Sequence, residues 1–468
     1  MQPSGKRILI LGGGFGGVYA ALRLEKLLAA KMASGEVEVC LVSQDNFFLF
    51  TPMLHEIAAS DLATNNIVNP LRKLLRRTQV LVGEVNRIDL PSQTVFVSRG
   101  YQDAPLELAY SHLVLALGSV TNYFNLPGLT ELALAMKSLP DAIQLRTHMI
   151  QRLERASSEP SLNERRSLLT FVVAGGGFAG VETVAALNDF VREALRYYPS
   201  LRAEMLRVVL VHPGAVILPE LGESLGRYAQ QVLARRGVEI VLTTKVTSMT
   251  ENEVVLAGNV RVPASTLVWT AGTIPNPLLS QLPCARERGR VVVNSFLQLS
   301  DWPNVWAAGD CALVPDLKRP GKFHPPTAQH AIREGMLAAH NIAAALSGRA
   351  PKAFSFRTIG LLASIGRRRG VARLLGFNLS GFFAWWLWRT IYLSKLPGLD
   401  KKVRVAFEWT LDLLFRKDVC AINNHPRQSS DYDRDDRRRA SRQYNEGEPQ
   451  TAQPSPKVAM AEPTKQNN

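Results

Sequence analysis

The sequence predicts an α/β protein with two parallel-sheet domains followed by an aromatic and basic C-terminal section. Two glycine-rich turns each stand between a short apolar strand and an apolar helix, and the second repeats the first 163 positions later, Gly12 to Gly175. Near the C-terminus, residues 381–399 read GFFAWWLWRTIYLSKLPGL and hold three of the seven tryptophans. The repeat predicts two copies of one β-α-β unit, and the tryptophans mark a section of different character.

Composition places the chain among globular proteins with two or three domains. It has 468 residues, of which 46% are hydrophobic and 20% charged,. The net charge of +15 suits an anionic partner, either a bilayer or a nucleic acid, but no nucleic-acid motif occurs and no such partner is predicted,. Four cysteines lie far apart, which predicts a reducing compartment without disulfides or a metal site; they are Cys40, Cys284, Cys311 and Cys420,. The N-terminal residues lead straight into the first strand, so no signal peptide is expected.

The elements follow in a regular order. RILIL (7–11), an apolar helix and VEVCLVS (37–43) form the first unit, and the second spans residues 170–212. Further strands are predicted at TVFVS and HLVLALGS between the units, and at LVWTAGT and NVWAAGDCA after them. These predict a discontinuous first domain and an inserted second domain. The predicted bounds are 1–125 with 276–350, 165–275, a C-terminal section at 351–422, and a polar, disordered tail at 423–468,.

Both turns have the spacing Gly-x-Gly-x-x-Gly, namely Gly12–Gly14–Gly17 and Gly175–Gly177–Gly180. A backbone without Cβ atoms lets a pyrophosphate approach the helix N-terminus, where free N–H groups favour anions. One such turn is weak evidence, whereas two in the same strand–turn–helix context predict two dinucleotide sites. Two dinucleotides in one chain indicate a flavin and a nicotinamide.

The second strand of each unit lacks the acidic residue that commonly binds a ribose. The first strand ends at Ser43, which can still bond a hydroxyl, and the second at His212, which would not repel a 2′-phosphate. Either both residues contact a ribose, or they are ordinary strand ends. On the first alternative we expect loose selectivity between NADH and NADPH, measured as the ratio of their kcat/KM values.

These turns, together with ALGS (116–119), WTAGT (269–273) and VWAAGDCA (305–312), make the chain resemble flavoproteins with two Rossmann-like domains of the glutathione-reductase-like fold. LFTPML (49–54), PPTAQHA (325–331) and the aromatic C-terminus are similar to those of type II NADH:quinone oxidoreductases, which are single-subunit respiratory enzymes that pump no protons. The resemblance covers about residues 6–420.

The resemblance implies FAD and NADH as cofactors and assigns residues to each. Asp310 would hold the ribityl chain, and Ala328 and Gln329 would lie beside the isoalloxazine. The other FAD residues implied are Gly12, Gly14, Phe15, Gly16, Gly17, Thr51, Pro52 and Gly118, with Ser43 at the ribose. The NADH residues implied are Gly175, Gly177, Gly180 and Gly272, with Glu182 beside the nicotinamide. His212 remains the candidate for the ribose from its position at the strand end.

The quinone side is implied by TAQHAIREG, in which Arg333 replaces the second glutamine of the family pattern A-Q-x-A-x-Q. Gln329 offers an amide to a quinone carbonyl. Arg333 either stabilises a reduced quinone anion or is a surface arginine, and His330 is either a proton relay or a packed histidine. The mechanism that the resemblance implies is hydride transfer from NADH to FAD followed by quinone reduction. Glu182 is then either a proton conduit or only a carboxylate favoured by the helix dipole.

The C-terminal section predicts a membrane-surface anchor. The run from Leu374 to Trp388 is expected to form a helix of about 22 Å, shorter than the ~30 Å hydrocarbon core. A second helix places Val403, Phe407, Leu411 and Leu414 on one face,. Residues 357–419 contain 12 Lys or Arg against 4 Asp or Glu, which favours anionic lipid,. The RRRG run at 367–370 is either a solvated surface turn or a contact for phosphate headgroups.

We therefore expect a peripheral, monotopic enzyme on the cytoplasmic face of the cell membrane. The alternative for the aromatic section is a dimer interface or a cap on the FAD domain, and both can hold because a homodimer would present two anchors. Three other functions compete with NADH:quinone oxidoreduction. They are a related FAD- and NAD(P)H-dependent reductase, an NADH-binding flavoprotein with a protein acceptor, and a sulfide:quinone oxidoreductase, although the last needs paired cysteines.

Overall fold

The computed structural model of the chain describes residues 5–100, 104–415 and 417–420. The tail predicted at 423–468 lies outside these residues. Residues up to 128 hold fourteen of the helices and strands: β1 (Lys6–Leu11), α1 (Phe15–Leu27), α2 (Ala29–Ala33), β2 (Val37–Ser43), β3 (Phe47–Leu49), α3 (Leu54–Ala58), β4 (Val68–Pro70), α4 (Leu71–Leu74), β5 (Gln79–Val82), β6 (Glu84–Asp89), β7 (Thr94–Ser98), β8 (Leu106–Ala109), β9 (His112–Leu115) and β10 (Ser119–Thr121).

The elements of the middle of the chain repeat this alternation of strands and helices. They are α5 (Leu129–Leu132), β11 (Leu134–Ala135), α6 (Leu139–Ser158), α7 (Leu162–Leu168), β12 (Thr170–Ala174), α8 (Phe178–Ala194), β13 (Arg207–Val211), α9 (Glu223–Arg235), β14 (Val238–Val241), β15 (Val246–Met249), β16 (Glu253–Leu256), β17 (Val260–Pro263), β18 (Thr266–Trp269) and β19 (Thr273–Pro275).

The remaining elements return to the first domain and then build the C-terminal section. They are β20 (Arg286–Glu287), β21 (Arg290–Val292), β22 (Val305–Ala307), β23 (Ala312–Leu313), α10 (Ala328–Ala345), β24 (Gly360–Ser364), β25 (Gly370–Leu374), β26 (Phe377–Ser380), α11 (Gly381–Lys395) and α12 (Leu399–Leu414).

Two five-stranded sheets of the same topology form the frame. The first has the order β22-β9-β1-β2-β5 and the second β11-β18-β12-β13-β14, with every neighbouring pair parallel. The equivalence of β1 with β12 and of β2 with β13 confirms the predicted duplication. β22 comes from the predicted second part of the first domain, while β11 joins the second sheet from ahead of the predicted start at 165.

The first strand illustrates why these sheets form. Ile8, Leu9, Ile10 and Leu11 are all fully buried, as expected of a parallel strand covered on both faces,. Helix α1 packs closely against α10, and the absence of a side chain at Gly335 permits this approach. A Cβ on Gly335 would come within 2.1 Å of the Gly16 carbonyl oxygen. Three-stranded antiparallel sheets, β6-β7-β8 and β15-β16-β17, accompany the two parallel sheets.

The C-terminal section is an antiparallel sheet, β24-β25-β26, followed by two helices. The predicted helix over 374–388 is wrong in its first half, because Leu374 pairs with Phe377 in a tight hairpin and the helix begins only at Gly381. The second predicted helix is confirmed as α12. Within the described residues, no helix has both the length and the apolar character needed to cross a membrane.

Candidate active site

The first glycine turn connects β1 to α1 and is shaped by close backbone contacts. Gly12 has φ +114°, and a Cβ on Gly17 would lie 1.9 Å from the Gly12 carbonyl oxygen. Gly14, at the helix N-cap, is different: it is exposed, and a Cβ there would meet nothing within 4 Å. No side chain caps this helix. The N–H groups of its first turn therefore face open space and fit the FAD pyrophosphate.

Residues distant in sequence converge on this turn. A Cβ on Gly16 would touch Ala116 and Ala308, so the ends of β9 and β22 meet there. Ser43 is buried, and its hydroxyl lies so close to Gly13 that a Cβ on Gly13 would be 2.3 Å from it. Ser43 thus abuts the turn, as its position after β2 predicts.

Asp310 lies in a network that the sequence did not reveal. Its Oδ2 accepts a hydrogen bond from the Ser119 hydroxyl at 2.6 Å, and Lys137 Nζ donates to that hydroxyl at 2.7 Å while lying 3.5 Å from Asp310. The adjacent Gly309 N–H donates to the buried Glu334 at 2.7 Å. Burial raises the pKa of Glu334 to about 7. Asp310 is therefore fixed from both sides and fits the role of holding a polyol chain.

The predicted flavin-side residues Thr51 and Pro52 begin a short 3₁₀ turn directly before α3. Gly118 has φ +67°, and its carbonyl accepts the Asn276 N–H at 3.1 Å. This bond lies beside the pairing of β10 with β19 and joins the two ends of the inserted domain. Phe15 packs edge-on against Phe48, with ring centroids 5.0 Å apart.

The start of α10 carries the residues predicted for the quinone side. Ala328 and Gln329 are partly exposed, and Gln329 Nε2 donates to the Gly360 carbonyl at 2.8 Å. Arg333 lies 3.9 Å over the Phe356 ring and donates to the Gln329 carbonyl, which is the arrangement of a packed arginine,.

His330 is almost fully buried beneath these residues. Its Nδ1 lies 2.8 Å from the Thr327 hydroxyl, and its ring packs against Phe356 and His324. Burial, followed by the nearby charge of His324, lowers the pKa of His330 to about 4. The imidazole is therefore neutral near pH 7.

The second glycine turn repeats the first. Gly175 has φ +116°, a Cβ on Gly180 would lie 1.8 Å from the Gly175 carbonyl oxygen, and Gly177 has open space around it. No side chain caps α8. This turn fits a second pyrophosphate for the same physical reasons.

His212 and Gly272 flank the second turn. His212 Nδ1 accepts the Gly176 N–H at 3.0 Å, so the ring is held against the turn with Nδ1 unprotonated,. Burial lowers the pKa of this imidazole. A Cβ on Gly272 would clash with the half-exposed Phe124 ring at 2.5 Å. Glycine at position 272 thus leaves room for that ring at the rim of the groove.

Glu182, in the first turns of α8, is the centre of a buried contact with the C-terminal section. Its Oε1 accepts the Ser364 N–H at 3.1 Å and the Trp388 indole N–H at 3.0 Å. Its Oε2 lies 3.8 Å from His55 Nδ1. Burial raises the pKa of Glu182 to about 8, against both hydrogen bonds, and burial lowers the pKa of His55 to about 3. The pair is therefore a neutral histidine beside a mostly protonated carboxyl at pH 7.

A second buried carboxyl, Glu56, lies next to His55 in α3. Its Oε2 accepts the Trp409 indole N–H from α12 at 3.1 Å, and burial raises its pKa to about 8. Sequence reasoning missed His55, Glu56, Trp388 and Trp409 as site residues. Their only local signal was the HE pair directly after the TPML turn.

Comparisons with known proteins agree with this architecture. The family model for pyridine nucleotide-disulphide oxidoreductases matches residues 6–335, and that for the NDH2 C-terminal domain matches 359–418. A type II NADH:quinone oxidoreductase of Mycobacterium tuberculosis is 32% identical over 434 residues, covering 88% of this chain and 89% of its own length. A probable NADH dehydrogenase of Dictyostelium discoideum is 31% identical over 425 residues, covering 89% and 91%.

A solved structure shows the same fold at low identity. It is NDH2 from Plasmodium falciparum in complex with NADH, with a TM-score of 0.81 and 20% identity over 89% of this chain and 99% of that one.

Proposed function

The chain belongs to the type II NADH:quinone oxidoreductases within the pyridine nucleotide-disulphide oxidoreductase family, and from this premise we infer that it oxidises NADH and reduces a membrane quinone. It is an NADH dehydrogenase with FAD and NADH as cofactors. Bound FAD would supply the redox chemistry that links a hydride from NADH to two electrons for the acceptor. One combination of features supports this function best. Two glycine turns precede helices without side-chain caps, and the C-terminal section of the same chain contacts Glu182 through Trp388.

The two turns hold and orient the nucleotides. The N-terminus of α1 binds the FAD pyrophosphate, and Asp310, held by Ser119 and Lys137, binds the ribityl chain,. The N-terminus of α8 binds the NADH pyrophosphate. His212 lies at the ribose as a neutral ring that does not repel a 2′-phosphate, since its Nδ1 accepts the Gly176 N–H and the ring also bonds the Val216 backbone. The dipoles of both helices stabilise the phosphates without a side-chain charge.

The quinone is bound at the start of α10. Gln329 offers its amide to a quinone carbonyl beside Ala328. Arg333 packs over the Phe356 ring and donates to the Gln329 carbonyl. Its role is therefore to stabilise the start of α10 rather than to contact the quinone. His330 is neutral and buried, and its Nδ1 is hydrogen-bonded to the Thr327 hydroxyl. Its role is therefore to pack the start of α10. Glu182 holds a proton at its carboxyl near pH 7 and supplies it toward the reduced quinone,.

The C-terminal section binds the membrane surface. Its two helices leave large apolar side chains exposed: Phe382, Phe383 and Trp386 on α11, and Val403 and Phe407 on α12. The surrounding section, residues 357–419, has eight more cations than anions, which attracts anionic headgroups,. Peripheral attachment on the cytoplasmic face and a homodimer with two anchors complete the proposal.

Sulfide:quinone oxidoreduction is the weaker alternative. The four cysteines are all free, and Cys311, beside Asp310, is buried with its thiol bonded to backbone carbonyls. Burial raises the pKa of this thiol to about 11, which keeps it from acting as a thiolate nucleophile near pH 7,.

The deciding experiment is NADH oxidation by FAD-loaded protein in liposomes, with and without a short-chain quinone. We expect quinone-dependent turnover that is lost in Gln329→Phe, while FAD content and flavin reduction by NADH persist. Rapid flavin reduction in the wild type without quinone turnover would instead identify an NADH-binding flavoprotein whose acceptor is another protein.

A further inference from the structure

A small cavity of about 40 Å³ lies where α3, α8, the β24–β25 hairpin, α11 and α12 meet, and its lining is unusually rich in ionisable groups. A cavity of that volume has room for about two or three waters. Six carboxyl groups line it: Glu56, Asp61, Glu182, Asp189, Glu193 and Asp412. The mechanism above uses only Glu182 among them.

The helix α8 accounts for the elongated shape of this cluster. Glu182, Asp189 and Glu193 are seven and four positions apart, so they share one face of the helix,. The cavity is thus lined along α8 from Glu182 toward the C-terminal end of the helix, a rise of about 16 Å,.

Groups on every surrounding element face the two buried glutamates. His55 of α3, Arg389 of α11, Asp412 of α12 and Arg367 of the β24–β25 hairpin line the cavity. Tyr392 of α11 lies outside the lining but near Glu182. Lys417 forms an ion pair with Asp61. The three cations balance part of the negative charge, and His55 stays neutral because burial lowers its pKa to about 3.

Glu56 is the carboxyl best suited to work with Glu182. Both are buried, both line the same cavity, and each accepts an indole N–H from the C-terminal helices, Trp409 for Glu56 and Trp388 for Glu182. The two indoles neighbour each other, with ring centroids 6.3 Å apart. The two carboxyl groups therefore belong to one assembly, although they come from different domains.

The chemistry of the reaction creates a need for such an assembly. NADH, one proton and a quinone give NAD⁺ and a quinol, so the hydride supplies both electrons and one hydrogen while the second hydrogen must come from solvent as a proton. Glu182 is buried and cannot exchange that proton with bulk water directly.

We propose that Glu56 holds a proton and reprotonates Glu182 after each turnover. Glu56 itself then receives a proton from solvent by way of Asp61 and Asp412. This proposal rests on the function inferred above. The Glu182 O–H bond breaks as its proton leaves toward the quinone. A cavity water then passes the Glu56 proton to Glu182, and Glu56 regains a proton through Asp61 and Asp412, which are partly exposed. One proton enters per quinone reduced, and no electron moves along this route.

The two groups share one protonation state near neutrality. Burial raises the pKa of each to about 8, so both hold a proton at pH 7,. The indole bond from Trp409 lowers the pKa of Glu56, after the larger effects of burial, Arg389 and Asp61. Trp409 therefore tunes a residue that acts through Glu182.

The experiment compares full-length, FAD-loaded wild type with Glu56→Gln in liposomes. Flavin reduction by NADH needs no solvent proton and should keep its rate. Quinone turnover should fall about tenfold or more, as expected for loss of a proton-transfer group, and its solvent isotope effect in D₂O should rise. Glu56→Asp should recover part of the rate. Glu25→Gln, a buried carboxyl outside the cavity that binds the Arg77 and Thr78 N–H groups, is the matched control and should behave as wild type.

A second variant covers the case in which Glu56→Gln fails to fold. Trp409→Phe keeps the ring but removes the donor, so the pH at which turnover falls on the alkaline side should move upward. Unchanged turnover and isotope effect in folded Glu56→Gln, or an unmoved alkaline limb in Trp409→Phe, would overturn the relay. Absence of quinone turnover in the wild type would instead overturn the proposed function.

Discussion

At the scale of single residues, the glycines of the two turns separate into those that shape the backbone and those that leave room for a ligand. Gly17 and Gly180 cannot carry a Cβ without striking a carbonyl oxygen of their own turn. Gly14 and Gly177 have φ values of −83° and −78°, which any residue adopts, and open space in front of them. The fold therefore does not require glycine at these two positions, and on the proposed function their lack of a side chain leaves room for the nucleotide.

Gly177→Ala should consequently leave the fold intact and weaken NADH binding alone. The added methyl group occupies the approach of the pyrophosphate, and we expect KM for NADH to rise about tenfold, equivalent to about 1.4 kcal/mol. FAD content should stay at the wild-type level. Gly14→Ala is the matched variant and should show the reverse, reduced FAD retention with a normal KM once FAD is supplied. Equal effects of both variants on both cofactors would contradict the assignment of one turn to each.

Glu334 gives a second residue-level prediction, for stability against pH. Burial raises its pKa from 4.5 to about 7, so the folded state binds more protons than the unfolded state between these values. Its contribution to the free energy of unfolding is therefore full below pH 4.5 and declines as pH rises to about 7, by a few kcal/mol at most.

Glu334→Gln keeps an oxygen for the Gly309 N–H but cannot titrate. Denaturant unfolding of the FAD-loaded variant should lose less stability between pH 5 and pH 7 than the wild type. Glu56 and Glu182 titrate in both proteins and cancel in the comparison. Parallel stability profiles would show that Glu334 does not carry this pH dependence.

At the scale of elements, α11 shows how one helix divides its tryptophans between two tasks. Trp388 is fully buried and Trp385 nearly so, whereas Trp386 is 50% exposed beside Phe382 and Phe383. Only one of the three tryptophans is therefore available to a membrane surface. The other two build the interior, and Trp388 binds Glu182.

The sequence predicted the glycine turns well because their signals are local, and it misplaced the start of α11 for a local reason too. Leu374 pairs with Phe377 across a two-residue turn in which Leu375 and Gly376 have φ +52° and +92°. Such turns normally show Asn-Gly or Asp-Gly, so a leucine at the first position hides the hairpin within an apolar run. A mainly apolar stretch, interrupted only by Asn378 and Ser380, then reads as a longer helix.

The exposed side chains of α11 and α12 should govern membrane binding without affecting stability. Phe382, Phe383 and Phe407 are each more than half exposed, and partial burial in a bilayer is worth about 1 kcal/mol apiece,. Changing all three to Ser should weaken sedimentation with anionic vesicles about a hundredfold at unchanged Tm. Leu162→Ser, a 70% exposed leucine on α7, is the control. Undiminished vesicle binding by the triple variant would place the anchor elsewhere.

At the scale of the whole molecule, the C-terminal section is bonded to both dinucleotide domains. Trp409 binds Glu56 of the first and Trp388 binds Glu182 of the second. Ion pairs add to this, Lys417 with Asp61 and Arg367 with Glu193. These partners are separated by as many as 353 positions along the chain, so no local pattern could have predicted them.

Lys417→Met tests how firmly this section is held. Lys417 is 4% exposed in its side chain, and its loss leaves the carboxylate of Asp61, which is only 17% exposed, without its cation. We expect a destabilisation of about 3–5 kcal/mol, seen as a lower denaturation midpoint of the FAD-loaded protein. The double variant Lys417→Met, Asp61→Asn should regain much of that loss. Additive effects of the two changes would show that the pair is not coupled.

The indole bonds to Glu56 and Glu182 also bear on how such a protein can be altered through evolution or engineering. A membrane anchor is commonly treated as an independent segment that can be deleted or replaced without changing the activity of the enzyme. Here the same two helices that present apolar side chains outward complete the interior around the reacting groups. On the proposed function, attachment to lipid and assembly of the interior around Glu56 and Glu182 depend on the same two helices. A water-soluble version would therefore require polar substitutions on the outer face of these helices rather than their removal.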